Sequence, residues 1–189
     1  MGNKEVTIIA GANGSGKTTF AKQYLNIQPQ DFLNADEIAI EIAGKNYASA
    51  QLKAGKEYFR RLKELKTSSK GFMFESTLSG KSTERILKDL KSDGYNIKII
   101  YLLLENSDVC IARVKERVKA GGHHVPEKDI VRRYNRSRIN FWNKYRLLAD
   151  SWFMYFNSDA HFEEIASGKK EDYEINSQYL FDIFIKGVL

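Results

Sequence analysis

The sequence predicts an α/β fold built on a mostly parallel sheet, and three observations predict it. Short apolar runs recur along the chain, segments with helical spacing lie between them, and the first run leads directly into a glycine-rich loop, "GANGSGKTTF" at 11–20. Strands that alternate with helices make a parallel sheet covered on both faces, which gives three layers, α/β/α.

The runs are "VTIIA" (6–10), "FL" (32–33), "GFMF" (71–74), "IKIIYLLL" (97–104) and "WFMYF" (152–156). Rich in β-branched and aromatic residues, they read as five strands. Between them, Tyr58, Phe59, Leu62 and Leu65 share one side of a helix, as do Ile86, Leu87 and Leu90 on another. The long gap between strands four and five reads as a helical lid over about 107–147, two helices joined at "AGGHHVP". Glycines there end one helix and Pro126 opens the next. The segment after Phe156 holds seven Asp or Glu against three Lys and ends in "YLFDIFI". It reads as a helical tail, about 159–189, packed on the core.

A chain of 189 residues is most simply one domain, 1–189. With 42% hydrophobic residues and two prolines it is globular rather than fibrous or repetitive. Its longest unbroken apolar run, "IIYLLL" at 99–104, falls far short of the ~20 residues that span a bilayer. The charged start "MGNKEV" has no signal-peptide core, and Cys110 is the sole cysteine. A soluble cytoplasmic protein without a membrane partner is expected.

The formal charge of +6 has a location. Residues 111–138 hold nine Lys or Arg against Glu116, Glu127 and Asp129, and the rest of the chain balances. A basic excess confined to one stretch suits a compact anion better than a nucleic-acid coat.

Gly11, Gly16, Lys17 and Thr18 fit the pattern G-x-x-x-x-G-K-[ST], with Ala12, Asn13, Gly14, Ser15 and Thr19 completing the loop. Glycines let amide hydrogens turn inward around phosphates, the lysine reaches the β and γ oxygens, and the threonine hydroxyl holds Mg²⁺. The preceding strand and following helix meet the requirement for a nucleotide site. No N-K-x-D stands ready to read guanine, since "NKYR" at 143–146 lacks the aspartate, so ATP is expected with Mg²⁺. "LSGKS" at 78–82 lacks the second glycine and the glutamine of the transporter-ATPase signature and is set aside.

Phosphoryl transfer needs cation clamps and a carboxylate to take the proton from the attacking hydroxyl. Two acids stand just past strands, where open α/β sheets bind their ligands. Asp36, in "FLNADEIA", is the candidate base, with helix capping as its alternative role. Glu75, in "FMFESTL", would orient the acceptor or support Mg²⁺ beside Thr18, unless it only binds loop amides. Glu105 after "IIYLLL" competes with Glu75 for the metal, although "ENSD" also reads as a helix start. On the lid, Arg113 and Arg117 share one helical face, and Arg132 and Arg136 another. Like charges at that spacing repel until an anion sits between them. The adjacent His123 and His124 read as part of a turn, with His123 a candidate ligand contact and no metal site.

Together, "GANGSGKTT", "LNADEIA", "FESTLSG" and "RVKERVKAGGHHVPEKDIVRRYNRS" resemble the zeta toxin family of P-loop kinases, in its short bacterial branch. The likeness spans about residues 5–158. It implies a P-loop NTPase fold like that of nucleoside monophosphate and shikimate kinases, with five parallel strands ordered 2-3-1-4-5. It also implies ATP-dependent phosphorylation of a sugar hydroxyl on UDP-N-acetylglucosamine, and a small antitoxin partner. Lys17 would then be the phosphate lysine, Asp36 the base, and Glu75 the sugar-site acid of "FEST" with Thr77 beside it. Arg117 and Arg132 would clamp the transferring charge, with Arg113 and Arg136 on the acceptor. Two rivals stand beside this small-acceptor kinase. One is a polynucleotide 5′-hydroxyl kinase that would stack bases on Tyr134, Phe141, Trp142 and Tyr145, although their helical spacing more often means core; the other is a nucleotide-dependent switch without transfer.

Overall fold

The computed structural model describes residues 4–43, 47–122, 124–159 and 161–188, with the side chains of 43–52 left aside. Five parallel strands run in the order β2-β3-β1-β4-β5: β1 (Glu5–Gly11), β2 (Asp31–Leu33), β3 (Phe72–Ser76), β4 (Asn96–Leu103) and β5 (Ser151–Ser158). The sheet does not stop there, and this corrects the expectation of five strands. β6 (His161–Lys169) pairs antiparallel with β5, and β7 (Asp172–Ile175) antiparallel with β6, giving seven strands in a mixed sheet. The tail is therefore a hairpin followed by one helix, α8 (Gln178–Ile185), rather than helical throughout.

Period-two alternation in the strands sorts the core into two faces. Ile97, Ile99, Tyr101 and Leu103 of β4 point to the larger cluster, together with Val6, Ile8, Phe72 and Phe74. Ile100 and Leu102 point the other way, joining Ile9, Met73 and Ala21. The second face is covered by α1 (Lys17–Ile27) through Phe20, Tyr24 and Leu25. The first is covered by α2 (Ala35–Ala43), α3 (Tyr47–Ser68), α4 (Ser82–Ser92) and α8.

The paired helices expected between β4 and β5 are α5 (Ser107–Lys119) and α6 (Glu127–Asn140). Asn106 caps α5, its Oδ1 accepting from the amides of Asp108 and Val109, both at 3.0 Å. At the other end Gly121 turns at φ 85, and the amide of Gly122 donates to Arg117 O at 2.9 Å. A Cβ on Gly122 would come within 2.6 Å of Arg117 Cγ, so the glycine leaves room for that arginine. His123 lies outside the described residues.

α6 continues into a π-helical turn, Phe141–Tyr145, and ends in α7 (Arg146–Leu148). Phe141, Trp142 and Tyr145 are buried here, and Phe141 stacks on Tyr101 at 4.4 Å between ring centres. Tyr134 is buried as well, its hydroxyl donating to Leu104 O at 3.0 Å. The four aromatics proposed as a base-stacking platform are core, which removes the support for a polynucleotide groove. Arg138 is also buried: its guanidinium donates to the carbonyls of Ile183, Phe184 and Lys186 and lies over the rings of Tyr134 and Phe184. It thereby caps the C-terminus of α8 with a cation, where the helix dipole favours one.

Candidate active site

β1 delivers the chain to Gly11, and α1 begins at Lys17 with Gly16 (φ 90) as its N-cap. No side chain caps this terminus and no acid stands in its first turn, which leaves its amides directed at the loop. Two glycines are dictated by their surroundings. A Cβ on Gly14 would meet Cys110 O of α5 at 2.7 Å, and one on Gly16 would meet Asn157 Nδ2 at 2.3 Å. Asn157, buried at the end of β5, donates from Nδ2 to Ser15 O at 2.9 Å and so props the loop from below. Lys17 folds over the loop, its Nζ donating to Ala12 O at 2.8 Å.

A cleft of about 860 Å³ opens above this loop. Asn13, Gly14, Gly16, Lys17, Thr18 and Thr19 line it, whereas Gly11, Ala12 and Ser15 form the buried underside. Asp36 and Glu75 both line the cleft, at the C-terminal ends of β2 and β3. Glu105 is exposed and does not, so of the two acids considered for the metal only Glu75 stands at the phosphate loop.

Glu75 is tied in from three sides. The Lys17 ammonium and the Thr18 hydroxyl both favour its charged form, and Asn34 Nδ2 donates to its Oε1 at 3.0 Å. Burial nevertheless raises the carboxyl above its ordinary pKa, with Lys17 and Thr18 pulling it back. Burial likewise lowers the Lys17 ammonium, while Glu75 and Asp36 oppose the shift. These mutual effects group Lys17, Thr18, Asp36 and Glu75 as one electrostatic unit.

The structure also separates Asp36 from its alternative role. The cap of α2 is Asn34, whose Oδ1 accepts from the amides of Asp36 at 2.8 Å and Glu37 at 3.3 Å. Asp36 sits exposed in the first helical turn, its carboxylate not needed as the cap.

Across the cleft stand Arg113 and Arg117 from α5 with Arg132, Arg133 and Arg136 from α6. Arg113 donates to Asn157 O and to Asp159 Oδ1, both at 3.3 Å. Arg132 is paired with Asp129 at 2.9 Å. Arg133 bonds directly to the phosphate loop, donating to Asn13 Oδ1 at 3.1 Å. Thr77 lines the same cleft, its Oγ1 paired with Ser79 Oγ at 2.8 Å. Sequence reasoning missed Arg133, Asn34 and Asn157. Arg133 follows Arg132 directly in the basic stretch, and Asn34 directly precedes "ADEIA", but only the fold shows what either touches.

The residues present suit a nucleotide and its metal. The loop supplies amides and a lysine for phosphate oxygens, while Thr18 and Glu75 offer oxygen atoms, the donors that Mg²⁺ prefers. Among the described residues no group of three or more His, Cys, Asp or Glu could hold a metal ion. A magnesium ion shared with phosphate oxygens and water does not need one.

The fold, the loop and the facing acids define a P-loop, kinase-like α/β domain. A family model described as an AAA domain matches residues 6–137, from β1 through most of α6, and the chain belongs to that family. An uncharacterized protein of Haemophilus influenzae is 33% identical over 134 residues, which are 71% of this chain and 94% of that one. A structure from the PezAT chromosomal toxin-antitoxin system of Streptococcus pneumoniae superposes with a TM-score of 0.68 at 14% identity, over 97% of this chain and 79% of that one. The AvrRxo1-ORF1:-ORF2 complex with ATP gives 0.76 at 12% identity, over 100% of this chain and 65% of that one. At such identities the likeness is one of fold. The family match is to this AAA domain and not to the zeta toxins specifically.

Proposed function

We propose that the chain is an ATP-dependent phosphotransferase that moves the γ-phosphate to a hydroxyl of a small acceptor. One observation carries the reading: Asp36 and Glu75 line the same cleft as Lys17 and Thr18, and five arginines line it from the lid. In this reading Lys17 and the loop amides bind the β and γ phosphates. Asp36 accepts the proton of the acceptor hydroxyl as its oxygen bonds to the γ phosphorus and the bond to the bridging oxygen of ADP breaks. Thr18, with Glu75 behind it, would hold Mg²⁺, which supplies charge neutralisation on the phosphates. Arg117 and Arg132 face the transferring charge, Arg132 exchanging Asp129 for phosphate, while Glu75, Thr77, Arg113 and Arg136 contact the acceptor.

The acceptor we favour is a nucleotide sugar such as UDP-N-acetylglucosamine, on the resemblance of the four motifs to zeta toxins. A small protein antitoxin is the partner that goes with it, and the fold likeness to a toxin-antitoxin structure supports this choice. A cytoplasmic setting, where ATP is available, fits. Among the described residues no helix is long and apolar enough to cross a membrane.

The test is transfer of labelled γ-phosphate from ATP to a panel of nucleotide sugars, simple sugars and oligonucleotides, with Lys17→Ala as the blank. A labelled nucleotide sugar absent from the blank supports the proposal. Label released only as free phosphate refutes transfer and leaves a nucleotide-dependent switch.

A further inference from the structure

Helix α3 contains a glycine that nothing among the described residues requires. Gly55 is the ninth residue of this 22-residue helix, a position where glycine is disfavoured more than any residue but proline. Its backbone is not in the left-handed region, and among the described residues no atom outside the adjoining helix backbone lies within 4 Å of where a Cβ would stand. The phosphate-loop glycines have neighbours that exclude a side chain; Gly55 has none among the described residues. Yet it lines the cleft.

One turn further along, Tyr58 and Phe59 line the same cleft, and spacings of three and four put them on the face of Gly55. Their rings meet edge to face at 5.6 Å, and Phe59 stays 54% exposed, a large apolar surface that the core does not use. The loop after β3 adds Thr77 and Ser79, whose bonded hydroxyls keep lone pairs for a further partner. The cleft thus combines a gap against a helix backbone, an aromatic surface and hydroxyl groups. Glycine serves where a ligand must approach the backbone closely.

We propose that Gly55 is the specificity-determining residue of the acceptor half of the cleft. Its missing side chain admits a hydroxylated ring against the α3 backbone, with the ring's apolar face on Phe59 and its hydroxyls toward Thr77 and Ser79. The ligand class is a cyclic polyol or the sugar of a nucleotide sugar. The inference rests on the kinase reading above and adds the residue that sets the size of the acceptor.

The experiment compares wild type, Gly55→Ala, Gly55→Leu and Phe59→Ala in the labelled-phosphate panel, alongside binding of a fluorescent ATP analogue and thermal unfolding. Gly55→Leu should raise the acceptor KM by about 5- to 150-fold, the range expected of an overfilled site, with Gly55→Ala between it and wild type. Phe59→Ala should raise the same KM. Affinity for the ATP analogue should stay within about twofold, and the unfolding midpoint of both Gly55 variants should not fall, because Ala and Leu favour a helix over Gly. An unchanged acceptor KM in Gly55→Leu overturns the inference while leaving the kinase reading intact. Lost ATP affinity or a lower unfolding midpoint overturns it too, since Gly55 would then be structural. If wild type transfers label to no acceptor in the panel, the kinase reading itself fails and this inference falls with it.

Discussion

Replacing Asn34 with Asp substitutes one atom of the site and reverses one interaction. The cap on α2 survives, because an Asp oxygen accepts from the amides of Asp36 and Glu37 as Asn34 Oδ1 does. The Nδ2 donor, 3.0 Å from Glu75 Oε1, becomes a second carboxylate oxygen. At an effective dielectric of about 20, two unit charges at that distance repel by about 5–6 kcal/mol. The pair escapes by binding a proton, which for a carboxyl of ordinary pKa (~4.3) costs about 5 kcal/mol at pH 8 but about 1.6 at pH 5.5. Lys17, which acts favourably on Glu75, reduces both figures.

The sign is fixed by linkage. An acid whose pKa is raised by folding binds its proton more tightly in the native state, so stability falls as pH climbs from the ordinary carboxylate range through the raised value. Wild-type Glu75 already behaves this way because it is buried, and Asn34→Asp extends the loss to higher pH. Urea unfolding of Asn34→Asp against wild type should show a deficit of about 3 kcal/mol or more at pH 8, with about 2 kcal/mol recovered at pH 5.5. Asn34→Ala is the control: it loses the cap and the donor but adds no charge, so its deficit should change between the two pH values in the same direction but by much less. Equal deficits for Asn34→Asp at the two pH values would refute the placement of these side chains.

Three further outcomes are expected. Asp36→Asn should abolish transfer while ATP binding and stability stay within about 0.5 kcal/mol of wild type, as for a surface position, since Asn34 supplies the cap; equal transfer rates would remove Asp36 from the chemistry. Burial pushes the Cys110 thiol up to about 12, so it should resist alkylation at pH 8 in the native protein and react once the chain is unfolded in denaturant. Arg138→Met should destabilise by about 3 kcal/mol, read from denaturant unfolding, because three carbonyls at the end of α8 lose a charged donor. Arg138→Lys should not restore it, a single ammonium being unable to reproduce the fork.

Much of this site is legible because its chemistry is local. Lys17 and Thr18 announce themselves by spacing, and Asp36 and Glu75 by standing just after apolar runs. The buried strands β1 and β4 read clearly for the same reason, with both faces covered and hardly a polar residue between. β6 and β7 hide behind their position as the last two strands of the sheet. Only β7 is the edge itself, but apart from the buried Ile165 and Ala166 both strands are half-exposed or exposed and rich in charge, and "HFEEIASGKKEDYEI" has neither a clean alternation nor an apolar run. Asn157 is illegible for another reason. Its partner, Ser15, is 142 residues away in sequence, and only the pairing of β5 beside β4 brings them together.

The burial of Arg138 also has a mechanical meaning. α6 is held at its far end, by Arg138 to α8, by Asn140 Nδ2 to Leu78 O at 2.7 Å and by the Tyr145 hydroxyl to Gly80 O at 3.0 Å. Its nearer turns are held as well: Ile130 and Tyr134 are buried with Ala12 of the phosphate loop and with Cys110 and Val114 of α5, the Tyr134 hydroxyl donates to Leu104 O, and Arg133 donates to Asn13 Oδ1. The helix is therefore pinned along its length, while the Arg132 side chain stays 51% exposed. In the proposed transfer, the exchange of Asp129 for a phosphate oxygen then asks only for a side-chain rotation, and the backbone beneath it keeps its place.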